Sequence, residues 1–332
     1  MRMIWLTVTA ALIAVLAGTG LAAWYSLAVP GRAHEGPLPP QTDEEREIAA
    51  LLARHVRAIA SVPHNVRYFE ALERSAQYIE GALQDLGYAT TPQIFAVAGR
   101  SVRNIEATRE PRTATASTGT LVLGAHYDSF GDAPGANDNG TGTAAVLELA
   151  RLLKDWQPAD TRVRYVLFVN EEPPYYRTAD MGSLHYARAL AERGERVQGM
   201  ISFETLGAFS DKPGSQRYPP PFGLIFPATA NFVALVGLPA SRGFLHTVMA
   251  SFRRHAAFPS IGGVAPDLVA GIGWSDHWAF ARHGFPAIMV TDTALFRYAH
   301  YHLPSDTPDK VDYGKLARIT KGFERVVREL AP

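Results

Sequence analysis

Between Thr120 and Phe203 short apolar runs alternate with longer Ala- and Leu-rich stretches, and this alternation restricts the fold more than any other feature of the chain. Thr120–Ala125 (TLVLGA), Val163–Val169 (VRYVLFV) and Val197–Phe203 read as strands, separated by candidate helices at Gly140–Trp156 and Ala179–Arg193. Strands separated by helices require crossover connections, and these produce a largely parallel sheet covered on its faces. Upstream, Glu44–Ala60 and Tyr68–Leu86 space their apolar residues helically, as in Ile48, Leu51, Leu52, Val56 and Ile59. Gly87 supplies a stop for the second helix, and Thr90–Val97 and Val102–Thr108 read as strands. Downstream, Ala287–Thr291 reads as a strand, Gly207–Pro227 as a surface loop and Tyr313–Leu330 as a closing amphipathic helix. The expected architecture is a three-layer α/β domain: a mixed, mostly parallel central sheet with helices on both faces.

The N-terminus makes a second demand. After Arg2 no charged residue occurs from Met3 to Pro30. About 20 apolar residues cross a bilayer, whereas the apolar part of a secretory signal is about 7–15 residues long. The run is therefore read as one transmembrane anchor, with Trp24 and Tyr25 at its outer interface. Gly20-Leu21-Ala22 keeps a cleavable signal open as the alternative. Either way the catalytic part is expected outside the cytoplasm, periplasmic or extracellular if anchored and secreted if cleaved. Residues 31–42, rich in Pro, Gly and charge, read as a linker, which leaves 43–332 as the folded domain.

Composition excludes several function classes. The 332 residues carry 32 Lys and Arg against 32 Asp and Glu, so nothing favours a nucleic-acid partner. The chain has no Cys, which removes disulfides, thiolate metal sites and cysteine catalysis. A bound metal must rely on His, Asp and Glu.

Those residue types collect where the strands end. His126 and Asp128 follow TLVLGA, Glu171 and Glu172 follow VRYVLFV, and Glu204 ends MISFE. Asp138 lies in GANDNGTG, ahead of a helix, and His302 lies in YHLPSDTPDK. The carboxyl ends of strands border the ligand crevice in open α/β sheets. Each residue alone has a plain explanation: a strand-end His is usually a surface group, and paired Glu residues are usually a solvated turn. Their joint arrival at one rim is harder to explain in that way. Imidazole and carboxylate ligands suit zinc, and a pair of zinc ions needs a shared carboxylate plus a His and an acid for each. Asp138 can bridge, two His and two acids remain for the two ions, and one further Glu is left to act as a base.

These stretches resemble the zinc aminopeptidase family, which also contains glutaminyl cyclases and glutamate carboxypeptidases. The resemblance rests on GAHYDSFGDAPGANDNGTGTAAVLELARLL, VRYVLFVNEEPP, MISFETLG, WSDHWAFARHGFPAIMVTDT and YHLPSDTPDKVDY, and spans most of the chain from about Asn65. It implies a zinc exopeptidase-like fold, two zinc ions per chain and a peptide substrate. It implies that His126 binds one zinc, that Asp128 orients that imidazole, and that Asp138 bridges the ions ahead of a cis peptide bond. It further implies that Glu171 is the general base, that Glu172 and His302 bind the second zinc, and that Glu204 completes the first where many members have Asp. Tyr301 falls where some members place an oxyanion-stabilising Tyr.

Other features carry less. Ser275-Asp276-His277 contains triad residue types, but adjacent residues cannot adopt triad geometry and no G-x-S-x-G elbow is present. Asp276 and His277 are read as site-wall or helix-capping groups. Asp306, Asp309 and Asp312 lack the spacing of a calcium loop. Tyr218, Phe222, Phe226 and Phe244 are candidates for an apolar substrate pocket, with ordinary loop packing as the alternative. The leading expectation is release of N-terminal amino acids. The rivals are glutaminyl cyclisation on the same scaffold and a receptor-like domain without catalysis. The oligomeric state is left open.

Overall fold

The computed structural model describes residues 23–115 and 117–332, together with Trp5, Thr9, Ala17, Gly18, Gly20 and Leu21. Half of the Met3–Pro30 run lies outside these residues. Among the described residues no helix is long and apolar enough to cross a membrane.

The sheet is built around Gly119–His126 (β3), whose eight residues are all buried. β3 pairs in parallel with Thr161–Phe168 (β4) on one side and Val197–Glu204 (β5) on the other. Ala287–Thr291 (β8) continues the parallel run beyond β5. At the β4 edge an antiparallel hairpin is added, Thr90–Val97 (β1) with Arg100–Arg109 (β2). At the other edge Val233–Gly237 (β6) pairs antiparallel to β8, and Ser260–Val264 (β7) pairs parallel to β6. The strand order is β1-β2-β4-β3-β5-β8-β6-β7, the mixed and mostly parallel sheet that the alternation demands.

Helices cover both faces. Leu121, Leu123 and Ala125 of β3 point into one core, which receives Asp43–Ile59 (α1), Phe69–Asp85 (α2), Thr141–Leu152 (α3), Arg242–His255 (α5) and Tyr313–Leu330 (α7). Val122 points the other way, into a smaller core with Gly182–Glu192 (α4) and His277–Arg282 (α6). This is the strand's period of two, with both faces apolar.

The helix ends follow from their sequences. Thr42 and Glu45 form a reciprocal capping box on α1. Gly87 takes φ +86° just beyond α2, a conformation that costs a residue without Cβ little. Asp312 caps α7 by accepting the amide of Lys315 at 3.0 Å.

Three expectations change in detail. The helix read as Gly140–Trp156 stops at Leu152, and the one read from Ala179 starts at Gly182. The β6–α5–β7 unit and α6 had no counterpart in the sequence reading. Residues 31–42, read as a linker, contain no helix or strand, but the guanidinium of Arg253 holds the carbonyls of Pro30 and Gly31, and Arg318 holds that of Pro39.

Candidate metal centre

The strands deliver their polar ends to one edge of the sheet. His126 is the last residue of β3, Glu204 is the last of β5, and Glu171 and Glu172 lie just past β4. Asp138 sits in the turn before α3, and His302 lies between β8 and α7. Asp138 stands in the middle. Its Oδ1 is 3.5 Å from His126 Nε2 and its Oδ2 is 3.1 Å from His302 Nε2. Glu204 Oε2 lies 3.3 Å from His126 Nε2, and Glu172 Oε2 lies 3.3 Å from His302 Nε2. Two half-sites therefore share one carboxylate. Glu171 belongs to neither, its Oε2 being 3.8 Å from His126 Nε2.

These distances test the fit of a metal. Two ligands held tetrahedrally at zinc–ligand distances of about 2.0–2.1 Å stand about 3.4 Å apart, close to all four separations. Asp138 Oδ2, Glu172 Oε1 and His302 Nε2 are buried without a hydrogen-bond partner. Buried polar atoms normally have partners, and three unpartnered atoms on these neighbouring residues suit a cation. Charge agrees: Asp138, Glu171, Glu172 and Glu204 are all at most 8 % exposed, and four carboxylates cannot stay ionised together in so dry a site without positive charge. His126, Asp138 and Glu172 offer ligand atoms within 4.8 Å of one another. The residues fit zinc.

Electrostatics within the site follow from the same crowding. Burial disfavours the charged form of His126, but the Glu204 carboxylate and the bonds to Asp128 and Asp138 outweigh it and hold the pKa well above the usual imidazole value. His302 is raised to about 10, its burial being overcome by Asp138 and Glu172. Asp138 goes the other way: burial raises it, but the two imidazoles pull it below the normal carboxylate range. Burial, reinforced by neighbouring acids, pushes Glu172 up to about 7, Glu204 up to about 8 and Glu171 well above the usual value.

A layer of partners fixes these groups. Asp128 accepts the main-chain amides of Glu171 at 3.0 Å and Glu172 at 3.2 Å, tying the end of β4 to that of β3. Its carboxylate is 3.5 Å from His126 Nδ1, whereas its carbonyl is 3.1 Å from the same nitrogen. The imidazole is thus oriented mainly by the Asp128 carbonyl, and the carboxylate mainly holds the Glu171–Glu172 backbone. With the proton on Nδ1, Nε2 presents its lone pair to the site. Asp306 accepts the amides of Asn137 at 2.8 Å and Asp138 at 3.1 Å and takes a bond from the Tyr298 hydroxyl. The Asp138–Asn139 peptide bond is cis, as the resemblance implied. The His302 ring is stacked between Phe130 and Tyr301, 3.9 Å from each. Asn170, Thr205 and His302 adopt left-handed φ values of 60°, 46° and 59°. Such conformations concentrate at functional sites.

Several supporting residues escaped the sequence reading. Ser275 donates to Glu204 Oε2 at 2.8 Å and is itself 2.8 Å from the Ser202 hydroxyl. Ser275 thus positions an acid and serves no triad. His277 turns away to the carbonyl of Ile272 at 2.7 Å. Asp276 starts α6 without a side-chain capping bond, and burial raises its pKa to about 7. It does not cap the helix; both its oxygens are buried without a partner, and its charge helps to raise the Glu171 pKa. The three Asp of the closing loop divide their duties: Asp306 holds the Asp138 turn, Asp309 pairs with Lys310 and Asp312 caps α7.

Beside Glu204 and Tyr301 opens an apolar cavity of about 130 Å³, with Tyr218, Phe222 and Phe226 in its wall. Phe244, grouped with them on sequence, lies on α5, where its ring occupies the space a side chain at Gly199 would need.

A buried His–carboxylate cluster with one shared Asp, at the carboxyl edge of parallel strands, defines a metal-dependent hydrolase. The chain belongs to peptidase family M28, whose model matches residues 104–327. It is 36 % identical over 269 residues to YfbL of Escherichia coli (strain K12), an uncharacterised protein, covering 78 % of this chain and 81 % of that one. Among solved structures it resembles BSAP, a zinc aminopeptidase from Bacillus subtilis, with TM-score 0.66, 17 % identity and coverage of 89 % and 96 %. A glutaminyl cyclase from Fimbriiglobus ruber superposes with TM-score 0.60, 21 % identity and coverage of 91 % and 99 %. The family and the site agree on metal-dependent hydrolysis of peptides.

Proposed function

We propose that this peptidase releases N-terminal amino acids from peptides, using two zinc ions and Glu171 as the general base. The observation that carries the reading is the central position of Asp138, with a His and a Glu at ligand spacing on either side. Asp138, His126 and Glu204 would hold one ion, and Asp138, His302 and Glu172 the other. Bound there, the ions supply Lewis acidity, which polarises the scissile carbonyl and makes a water nucleophilic near neutral pH.

The chain's own groups do the rest. Glu171, beside the cluster but outside both half-sites, takes the proton of the attacking water and returns it to the leaving amine. Tyr301, which borders the cavity, would stabilise the developing oxyanion. The apolar cavity accepts the side chain of the N-terminal residue, so large apolar residues are favoured. Glu204 adds a methylene relative to Asp, and its bond from Ser275 aims the longer side chain at His126.

The Met3–Pro30 run is read as a membrane anchor, with the catalytic domain outside the cytoplasm. In support, Trp24 and Tyr25 are 63 % and 48 % exposed at the end of the apolar run.

The test is zinc content per chain together with a panel of aminoacyl and dipeptide substrates and an N-terminal Gln peptide. Two ions with release of Leu or Phe are expected. One ion with cyclisation of the Gln peptide would replace this reading by the cyclase, and no turnover of any substrate would favour a receptor-like domain.

A further inference from the structure

The end of the apolar run, from Tyr25 to Pro30, and Gly31 after it are held by the catalytic domain. Arg242 donates to the carbonyl of Tyr25 at 2.7 Å, with its guanidinium 4.3 Å from the centre of the Tyr25 ring. Arg253 donates to the carbonyls of Pro30 at 3.0 Å and Gly31 at 2.9 Å. Gly263 on β7 makes room for the segment, since a Cβ there would stand 2.7 Å from the Ser26 carbonyl oxygen. Leu27 is held as one wall of the same apolar cavity that Glu204 and Tyr301 border.

The loops around this cavity expose apolar side chains. Trp274 and Leu295 line it and are 43 % and 41 % exposed. Leu224 is 91 % exposed and Ile225 57 %, between the lining residues Phe222 and Phe226. Leu268, 88 % exposed, immediately precedes the lining residue Val269. Among the described residues, the large exposed apolar side chains outside the N-terminal segment, these loops and the His302 loop are Val62 and Ile94. Scattered exposed apolar residues need no explanation, but their concentration around one mouth marks an interaction surface. Charge is nearly absent there. Pro219–Phe226 carries none, and in Ala265–Trp274 the single charge, Asp267, is paired with Arg177 at 2.5 Å.

We infer that this rim rests in the membrane interface, so that the cavity opens toward the bilayer and the enzyme acts on amphiphilic peptides presented at the lipid surface. The inference rests on reading Met3–Pro30 as an anchor and goes beyond it. The occupant of the rim is lipid because of where the apolar run ends: the chain leaves that run at Ala28–Pro30, directly after Leu27, so a bilayer holding the run reaches the cavity mouth. A protein partner would be expected to meet a polar border around an apolar centre, whereas this rim is apolar outward from the cavity.

The absence of Cys permits single-site labelling. Full-length Leu224→Cys and Leu268→Cys, each carrying an environment-sensitive fluorophore, are reconstituted into phosphatidylethanolamine–phosphatidylglycerol vesicles with brominated acyl chains. Ile94→Cys, on β1, is the reference. Strong quenching at 224 and 268 with little at 94 is expected. Equal weak quenching in a vesicle-bound chain overturns the rim alone, and failure of the chain to enter vesicles overturns the anchor as well. Blue-shifted but unquenched emission means that protein, such as a second copy, covers the rim, and this also overturns the inference. A second arm uses the Leu224→Asp/Leu268→Asp double variant, whose altered positions do not line the cavity. In the same vesicles it should cleave a soluble leucyl dipeptide at the parent rate, but a leucyl dipeptide with a C-terminal alkyl chain on the order of tenfold more slowly, because two apolar contacts with lipid are lost. Unchanged turnover of both substrates, or an equal loss on both, counts against the inference. If the parent cleaves neither substrate, the aminopeptidase reading fails and the quenching arm still decides the rim.

Discussion

Replacing Asp128 by Asn removes one negative charge and one acceptor from a fully enclosed position. The native carboxylate, 1 % exposed, receives the amides of Glu171 and Glu172 through separate oxygens. Asn retains one oxygen and turns its NH2 toward the other amide, so one bond is lost and one buried N–H is left without an acceptor. Hydrogen bonds to charged groups contribute about 1.5–3 kcal/mol and an orphaned buried donor costs about 1–3 kcal/mol, which places the net loss near 3 kcal/mol. For a domain of this size that corresponds to a fall of roughly 5 °C in Tm. The effect reaches the site because the peptide that moves carries both Glu side chains, and outer partners of this kind typically contribute about 10–100-fold in metal affinity. Urea unfolding of the metal-free protein gives the first quantity, and zinc competition against a chelator gives the second. An Asn variant with the parent's unfolding midpoint and zinc affinity would show that the two amide contacts do not hold the Glu171–Glu172 turn, and the reasoning would fall.

Three further outcomes are expected. Glu171→Gln should keep its zinc and lose about 10²–10⁴-fold in turnover, whereas Glu172→Gln should lose zinc; metal analysis and peptide hydrolysis of both variants separate the roles, and the reverse pattern would exchange them. Gly135→Ala should destabilise the chain by about 1–3 kcal/mol and lower zinc content, because φ is +72° and the added Cβ would stand 2.5 Å from the Asp138 carbonyl oxygen; an unchanged Tm would refute this. Burial holds the His277 pKa down at about 4, so the unfolded chain, titrating near 6.5, takes up the proton first. Stability should therefore be whole above about pH 6.5 and fall by roughly 3 kcal/mol as pH drops toward 4. His277→Gln should show a shallower loss between urea midpoints at pH 7 and pH 4.5 in metal-free protein, and identical slopes would count against it.

What could be read without coordinates depended on whether the signal was local. β3, β4 and β5 announced themselves because each is a short apolar run that ends in His or Glu or is followed by Glu within three residues. That His126, Glu171, Glu172 and Glu204 share one rim was legible for the same reason. The far edge was not. β7 is SIGGV, and its two glycines remove the side chains that mark a strand. They are required by close approach: a Cβ at Gly262 would lie 2.6 Å from the Leu235 carbonyl oxygen of the neighbouring strand. The supporting groups were silent because their partners are distant in sequence. Ser275 acts on Glu204 across 71 residues, and Asp306 acts on Asp138 across 168. No local spacing encodes such pairs. Phe244 shows the converse error, since its aromatic character matched the cavity residues while its place on α5 assigned it to the core.

The arrangement of Asp306 carries a last consequence. The loop that presents His302 also clamps, through Asp306, the turn that presents Asp138, the carboxylate common to both half-sites. The two halves therefore stand or fall as a unit, because displacing that one loop withdraws a ligand from one side and loosens the shared ligand for both. Injury to it, whether by a protease cut near Pro304 or by a disruptive substitution, should not leave a half-working enzyme. Loss of function there should be all-or-none, with partly damaged preparations behaving as mixtures of intact and dead molecules rather than as uniformly slower ones.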